Sequence, residues 1–225
     1  MKIRIAGDSA LRIEFATAPG PDTSARIAAA RARLAAGLGD LARDLVPGFA
    51  TLLVIHEPLR ITPAALRRRI AALLADLDDA PLPPGKTLEL PVYYSPEAGP
   101  DLAAIARHSG LGEDGVIACH SEREYRVLAI GFAPGFAYLG DLDPRLAVPR
   151  RATPRTRVPK GAVAIANRQT AVYPQASPGG WHLIGLCPTP LFDPGADPPM
   201  PFAVGDRVRF RPVGRADYLA LGGEL

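Results

Sequence analysis

Proline constrains this chain more than any other residue. Of 25 prolines in 225 residues, fourteen lie from Pro134 onward, and Pro144, Pro149, Pro154 and Pro159 recur at five-residue spacing. Proline fixes φ and has no N–H to donate, so it stops helices and is tolerated at strand edges, strand starts and turns. The second half is therefore expected to consist of loops and short strands rather than long helices. The same region is free of acid. Between Pro144 and Phe192 there is no Asp or Glu, while Arg145, Arg150, Arg151, Arg155, Arg157, Lys160 and Arg168 are all present. Seven cations in one segment contrast with a net charge of only +3 for the whole chain. A basic, preorganised, glycine-containing surface suits a small anion such as phosphate or carboxylate, and a solvated basic loop accounts for the same composition.

Length and composition narrow the function classes. The chain is long enough for one large or two small domains with a real core, and 48% hydrophobic with 22% charged residues is ordinary for globular proteins. The small positive balance, with no Lys/Arg run interleaved with aromatics, argues against nucleic acid as a partner. Cys119 and Cys187 form no CxxC pair and no disulfide framework, so free thiols in a reducing compartment are expected. The start of the chain lacks the apolar core of a signal peptide. The longest apolar run, around Leu45 to Ile55, is interrupted by Pro47 and Gly48. The expectation is a cytoplasmic protein with no membrane association. Four histidines without local clustering give no metal-ligand pattern.

The periodicities predict an α+β N-terminal domain over 1–84 and a mostly antiparallel β-barrel domain over 85–225. Ile3 and Ile5, then Leu11, Ile13 and Phe15, alternate around a Gly7-Asp8 turn as a strand pair. Ile27, Leu34, Leu38, Leu41 and Leu45 share one helical face, which predicts a helix running to Val46-Pro47-Gly48. Ala50 to Ile55 reads as a strand. Thr62-Pro63 gives a helix start, with Leu66, Ile70, Leu73 and Leu77 continuing on one face. The Pro81 to Gly85 stretch is the expected domain boundary. Beyond it, Leu88, Leu90, Val92 and Tyr94 alternate as a strand that Pro91 places at an edge or bulge. Asp101 is the expected cap of a short helix ended by Gly110, and Glu113 to His120 forms another. Short strands follow at Tyr125–Ile130, 162–166, 170–173, 181–185 and 206–211, a pattern that suits a closed or nearly closed barrel.

Three features could carry chemistry. The run Gly131-Phe132-Ala133-Pro134-Gly135-Phe136-Ala137-Tyr138-Leu139-Gly140 reads as a stiff loop after a strand, with rings to wall a ligand and glycines to let backbone approach it. Its spacing is not GxGxxG, and the chain has no P-loop sequence. Arg150 and Arg155, each behind a proline, could converge on an anion or pair with surface acids elsewhere. Ser177-Pro178-Gly179-Gly180 could offer a hydroxyl and backbone N–H donors, or be a plain tight turn. Among the histidines, His120 is the candidate for acid/base work, although a lone histidine there also suits a structural role.

These residues are also where the chain resembles a known family. Gly131-Phe132, Pro134-Gly135-Phe136, Tyr138-Leu139, Pro149-Arg150, Pro154-Arg155, Val158-Pro159, Gln169-Thr170, Tyr173-Pro174, Ser177 through Trp181 and Leu191-Phe192-Asp193 are similar to the signature of the allophanate hydrolase subunit 1 family. That family includes the B subunit of 5-oxoprolinase and the sporulation-kinase inhibitor of Bacillus type. The resemblance implies a cyclophilin-like barrel after a small α+β domain, and a chain inactive alone. It implies two partners, a C subunit (allophanate hydrolase subunit 2-like) and an A subunit. Together they form a complex that opens 5-oxo-L-proline with ATP and Mg, no cofactor being held by this chain. A histidine-kinase regulator and a urea- or allophanate-type amidolyase component are the alternatives. In this reading Arg150, Arg155, Gln169, Ser177, Gly179 and Gly180 bind substrate or phosphate. Phe132, Pro134, Phe136, Tyr138, Tyr173 and Trp181 wall the pocket. The chain departs from the family pattern at Lys160, Ala162 and Leu186, where Ala, Ser and Arg are usual.

Overall fold

The alternation at the start of the chain produces a hairpin. In the computed structural model, which describes residues 1–18, 20–78 and 85–225, strands β1 (Lys2–Ile5) and β2 (Ala10–Glu14) pair antiparallel, with Ile3 opposite Ile13 and Ile5 opposite Leu11. Apart from Gly85, the proline-rich boundary predicted at 81–85 lies outside the described residues. The chain divides into two compact units, Met1–Gly85 and Lys86–Leu225.

In the first unit, β2 pairs with β4 (Thr51–His56), which pairs with β3 (Ala42–Pro47), giving the antiparallel order β1-β2-β4-β3. Helices α1 (Pro21–Leu38) and α2 (Pro63–Leu73) supply the rest of the core. Ile27, Leu34, Leu52, Leu66 and Ile70 are wholly buried together. Each such burial contributes about 1.5–3 kcal/mol. The Thr62 hydroxyl caps α2 by accepting from the Ala65 N–H (3.3 Å). One expectation is corrected here. The helix predicted to reach Leu45 ends at Leu38, where Gly39 (φ 50°) turns the chain, and 42–47 is strand β3. Leu45 joins the same core from a strand, so its helical spacing was coincidental. The order is thus β-β-α-β-β-α.

The second unit is a seven-stranded sheet in the order β12-β9-β10-β7-β6-β13-β5. Its strands are β5 (Thr87–Val92), β6 (Glu124–Ile130), β7 (Ala137–Gly140), β9 (Ala162–Ala166), β10 (Gln169–Val172), β12 (His182–Leu186) and β13 (Arg207–Pro212). All neighbours are antiparallel except β13 and β5. Pro91 sits on the terminal strand β5, as a residue without an N–H requires. The sheet nevertheless nearly closes: Tyr93 and Leu186 exchange backbone hydrogen bonds of 2.8 and 3.0 Å, joining the two end strands. A short ribbon pairs β8 (Arg155–Val158) with β11 (Ser177–Gly179). Helices α3 (Leu102–Ser109) and α4 (Gly112–Ser121) pack together, and α5 (Arg215–Ala220) follows β13. Leu90, Val92, Tyr125, Val127, Val163, Ile165, Ile184 and Phe210 fill the interior.

Candidate functional site

The 131–136 connection folds into a tight turn: Phe136 N–H donates to the Ala133 carbonyl (3.0 Å) and Gly131 N–H to the Phe136 carbonyl (3.1 Å). The turn holds Phe132 at φ 75°, a backbone strain that a bulky residue rarely accepts, and leaves its ring 62% exposed. The second half of the predicted loop is instead strand β7, whose pleat carries Tyr138. Phe136 is the buried hub of a ring cluster. Its centroid lies 5.1 Å from Phe132, 4.9 Å from Tyr138, 5.3 Å from Tyr173 and 5.9 Å from Trp181, all in edge-to-face contact. Five rings read from sequence as pocket walls therefore meet in space; Pro134 stands exposed on the same turn. Tyr173 approaches Gly179 so closely that a Cβ there would lie 2.4 Å from its Oη, which explains glycine at that position.

The cationic side is organised by an acid from outside the basic segment. Asp101 begins the turn into α3, but its carboxylate does not cap that helix. It accepts from Arg151 Nη1 (3.1 Å), Arg155 Nη2 (2.9 Å) and the Leu183 N–H (2.8 Å). Burial alone would raise its pKa; the Arg155 hydrogen bond, the Leu183 N–H and the charges of Arg155 and Arg151 prevail and lower it. Arg145 and Arg168 likewise pair with Asp143 and Asp141. Of the seven cations, Arg150, Arg157 and Lys160 have no ion pair among the described residues. Arg150 is exposed, and its charge acts on the Tyr173 phenol, which burial holds above its ordinary pKa against that pull. The carbonyl of Pro149, next to Arg150, accepts from His182 Nε2 (3.0 Å).

Other predicted residues fall in different settings. Ser177-Pro178-Gly179 is a strand paired to β8 rather than a turn, with Gly179 opposite Arg155, and the Gly180 carbonyl accepts from the Arg151 N–H (2.8 Å). The Ser177 hydroxyl is buried, with no hydrogen-bond partner among the described residues. Gln169 alternates with the inward-facing Thr170 and so shares the face of Ala171 and Tyr173. The structure does not bring His120 to this site. It lies wholly buried inside the barrel, stacked on Phe210 at 4.6 Å. Thr170 spends its one hydroxyl proton on the Ala164 carbonyl (3.1 Å), so it must accept from His120 Nε2–H (2.9 Å); Nδ1 then accepts from the Tyr94 O–H (2.7 Å). Burial pushes its pKa down to about 3. The imidazole is a neutral crosslink in the core, which corrects its candidacy for acid/base work.

Sequence reasoning missed Asp101 as the anchor and Arg151 as the companion of Arg155. The available signal was charge balance: a segment without acids must take its buried counter-charge from elsewhere, and Asp101 precedes it. Among the family departures, Ala162 and Leu186 are buried apolar positions of the barrel, while Lys160 is exposed. Among the described residues no group of His, Cys, Asp and Glu could hold a metal ion, and no helix is long and apolar enough to cross a membrane.

Residues 1–202 match the family described as carboxyltransferase domain, subdomain C and D. The chain is 44% identical over 183 residues to the B subunit of 5-oxoprolinase from Escherichia coli O157:H7, covering 80% of this chain and 83% of that protein. It is 36% identical over 224 residues to the B subunit of 5-oxoprolinase from Bacillus subtilis (strain 168), covering 95% of this chain and 93% of that one. The crystal structure of TTHA0988 superposes with a TM-score of 0.80 at 33% identity; the match spans 95% of this chain but only 40% of the TTHA0988 chain.

Proposed function

The chain belongs to the family of carboxyltransferase subdomains C and D, and from that premise we propose that it is the B subunit of an ATP-dependent 5-oxoprolinase-type complex. It works with the C and A subunits of that complex, and it is inactive alone. Relatives named as B subunits of 5-oxoprolinase cover most of its length, which supports the reading. The longer TTHA0988 chain, of which this one matches two fifths, supports function beside a second polypeptide.

The observation that carries the site is Arg150, a cation without an ion pair among the described residues, next to the cluster of Phe136, Tyr138, Tyr173 and Trp181. In 5-oxo-L-proline a carboxylate and a lactam share one small ring. Arg150 takes the carboxylate, its planar fork matching the two oxygens. The aromatic rings cover the apolar carbons and keep water away. Tyr173, whose phenol is protonated at neutral pH and shifted further up by burial, offers its proton to the lactam oxygen. Arg155 is a positioning residue, fixed by Asp101 against the β8–β11 ribbon.

The complex consumes ATP with Mg²⁺, and the residues of this site do not fit that group. Asp101, the carboxylate here, has both oxygens taken by Arg151, Arg155 and Leu183, and the chain has no P-loop sequence. The nucleotide is therefore assigned to the partner subunits. The test is substrate-dependent ATP hydrolysis by the complex reconstituted from all its subunits. Turnover on 5-oxoproline that requires this chain and falls in Arg150→Ala agrees with the proposal. Unchanged turnover in Arg150→Ala refutes the site, and turnover on urea or allophanate in place of 5-oxoproline refutes the substrate.

A further inference from the structure

Strand β1 is an open edge. Among the described residues it pairs only with β2, and the hydrogen bond from Ala6 N–H to the Ala10 carbonyl (2.9 Å) sets the phase of that ladder. Residues 6 and 10 are a bonded pair, so by alternation Arg4 opposite Arg12 and Lys2 opposite Glu14 are bonded pairs too. The N–H and C=O groups of Ile3 and Ile5 therefore point away from β2, to the free edge. Ile5 is 71% exposed although it lies on the core-facing side of the sheet, opposite Leu11.

Beside this edge runs a groove of about 340 Å³ whose floor is Ile3, Ile5 and Leu11 and whose far wall is Pro63 and Ala64 of α2. An adjoining cavity of about 440 Å³ extends it past Met1 and Lys2. Every charged side chain lining the two is cationic: Lys2, Arg4, Arg67 and Arg68. Arg4 pairs with Glu14, while Lys2, Arg67 and Arg68 have no ion pair among the described residues. A second copy of β1 is a poor occupant, because pairing two such strands would gather four like charges on one short ribbon.

We infer that β1 and the groove beside α2 form a docking surface for an extended segment of a partner protein that alternates acidic and apolar residues. Its backbone adds a fifth strand to the sheet through Ile3 and Ile5, its apolar side chains enter the groove on the Ile3 and Ile5 face, and by alternation its carboxylates lie on the face of Lys2 and Arg4, within the positive field to which Arg67 and Arg68 add. The inference concerns the first unit and stands independently of the substrate assigned above.

The probe is the peptide acetyl-Gly-Glu-Val-Asp-Ile-Glu-Gly-amide, titrated into the isotope-labelled full chain and read by amide NMR and hydrogen exchange. Binding is expected with new protection at the Ile3 and Ile5 amides, none at Arg4, and affinity falling about tenfold from low to high salt. Ile5→Pro removes an outward N–H, which an edge strand tolerates, together with one apolar side chain of the groove floor, and is expected to abolish binding while leaving the fold intact. Should that variant misfold, the same peptide N-methylated on alternate residues tests the pairing without changing the protein, and it is expected not to bind. A Lys-for-acid version of the peptide is expected to fail as well. Absence of binding by the acidic peptide, contacts confined to the 150–160 basic segment, or self-association that protects Ile3 and Ile5 without peptide would each overturn the inference.

Discussion

Replacing Asp101 by Asn tests the internal electrostatics of the second unit with little change of shape. The carboxylate is nearly buried and is the shared counter-charge of two arginines. Removing one partner of a wholly buried pair costs about 3–5 kcal/mol. Arg155 and Arg151 retain 22% and 33% side-chain exposure, so water recovers part of that loss. The expected cost is about 2–3 kcal/mol, a fall in Tm of about 6–12 °C for a unit of this size. The reporter is built in: the single tryptophan, Trp181, lies buried in the adjoining ring cluster. The pH dependence follows from the direction of the Asp101 shift. Its pKa is lower in the folded chain than in the unfolded one, so its stabilisation is complete above the ordinary carboxyl value of about 3.9 and is lost as pH falls below it. The Tm gap between wild type and Asp101→Asn should be flat from about pH 5 to 8 and close below about pH 4. Equal stability at neutral pH, or a gap that widens in acid, would refute the reasoning.

Further outcomes follow from the same geometry. His120 should remain neutral as the Nε2–H tautomer down to about pH 5, visible in long-range nitrogen–proton spectra; because its folded pKa lies far below the unfolded value of about 6.5, its contribution to stability declines as pH drops below that value. His120→Leu should lower stability by about 1–3 kcal/mol by leaving the buried Tyr94 O–H without its acceptor, while Thr170 keeps its bond to the Ala164 carbonyl, checked by urea unfolding. Gly179→Ala should drive a methyl into the Tyr173 phenol, costing about 1–3 kcal/mol and altering the near-ultraviolet circular dichroism of the ring cluster. Phe132→Gly should leave stability within about 1 kcal/mol, since the ring is exposed and glycine accepts φ 75° freely, yet reduce substrate-dependent turnover of the reconstituted complex.

Much of the architecture was legible because its signals are local. Alternation marked β1, β2 and β5, and Gly110 at φ 71° ends α3 as its type suggests. The helix overrun to Leu45 arose because a helical face and an inward strand residue can share one spacing. The gathering of Phe132, Phe136, Tyr138, Tyr173 and Trp181 was legible because large rings set among glycines pack on one another. The charged half of the site was not. Whether Arg150 or Arg151 turns inward beside Arg155 depends on where Asp101 arrives, fifty residues earlier in the chain, and adjacency in sequence says nothing about it. His120 misled for a similar reason: its meaning rests on the single proton of Thr170, a contact fifty positions away.

The central claim is that this chain supplies a carboxylate-binding, aromatic-walled site to a 5-oxoproline-opening complex. The most direct measurement is the KM for 5-oxo-L-proline of the reconstituted complex carrying Arg150→Gln, with ATP saturating. Loss of one charge-assisted bidentate contact of about 1.5–3 kcal/mol predicts a rise in KM of about 10- to 150-fold. A KM within twofold of wild type, or turnover that persists without this chain, would contradict the account.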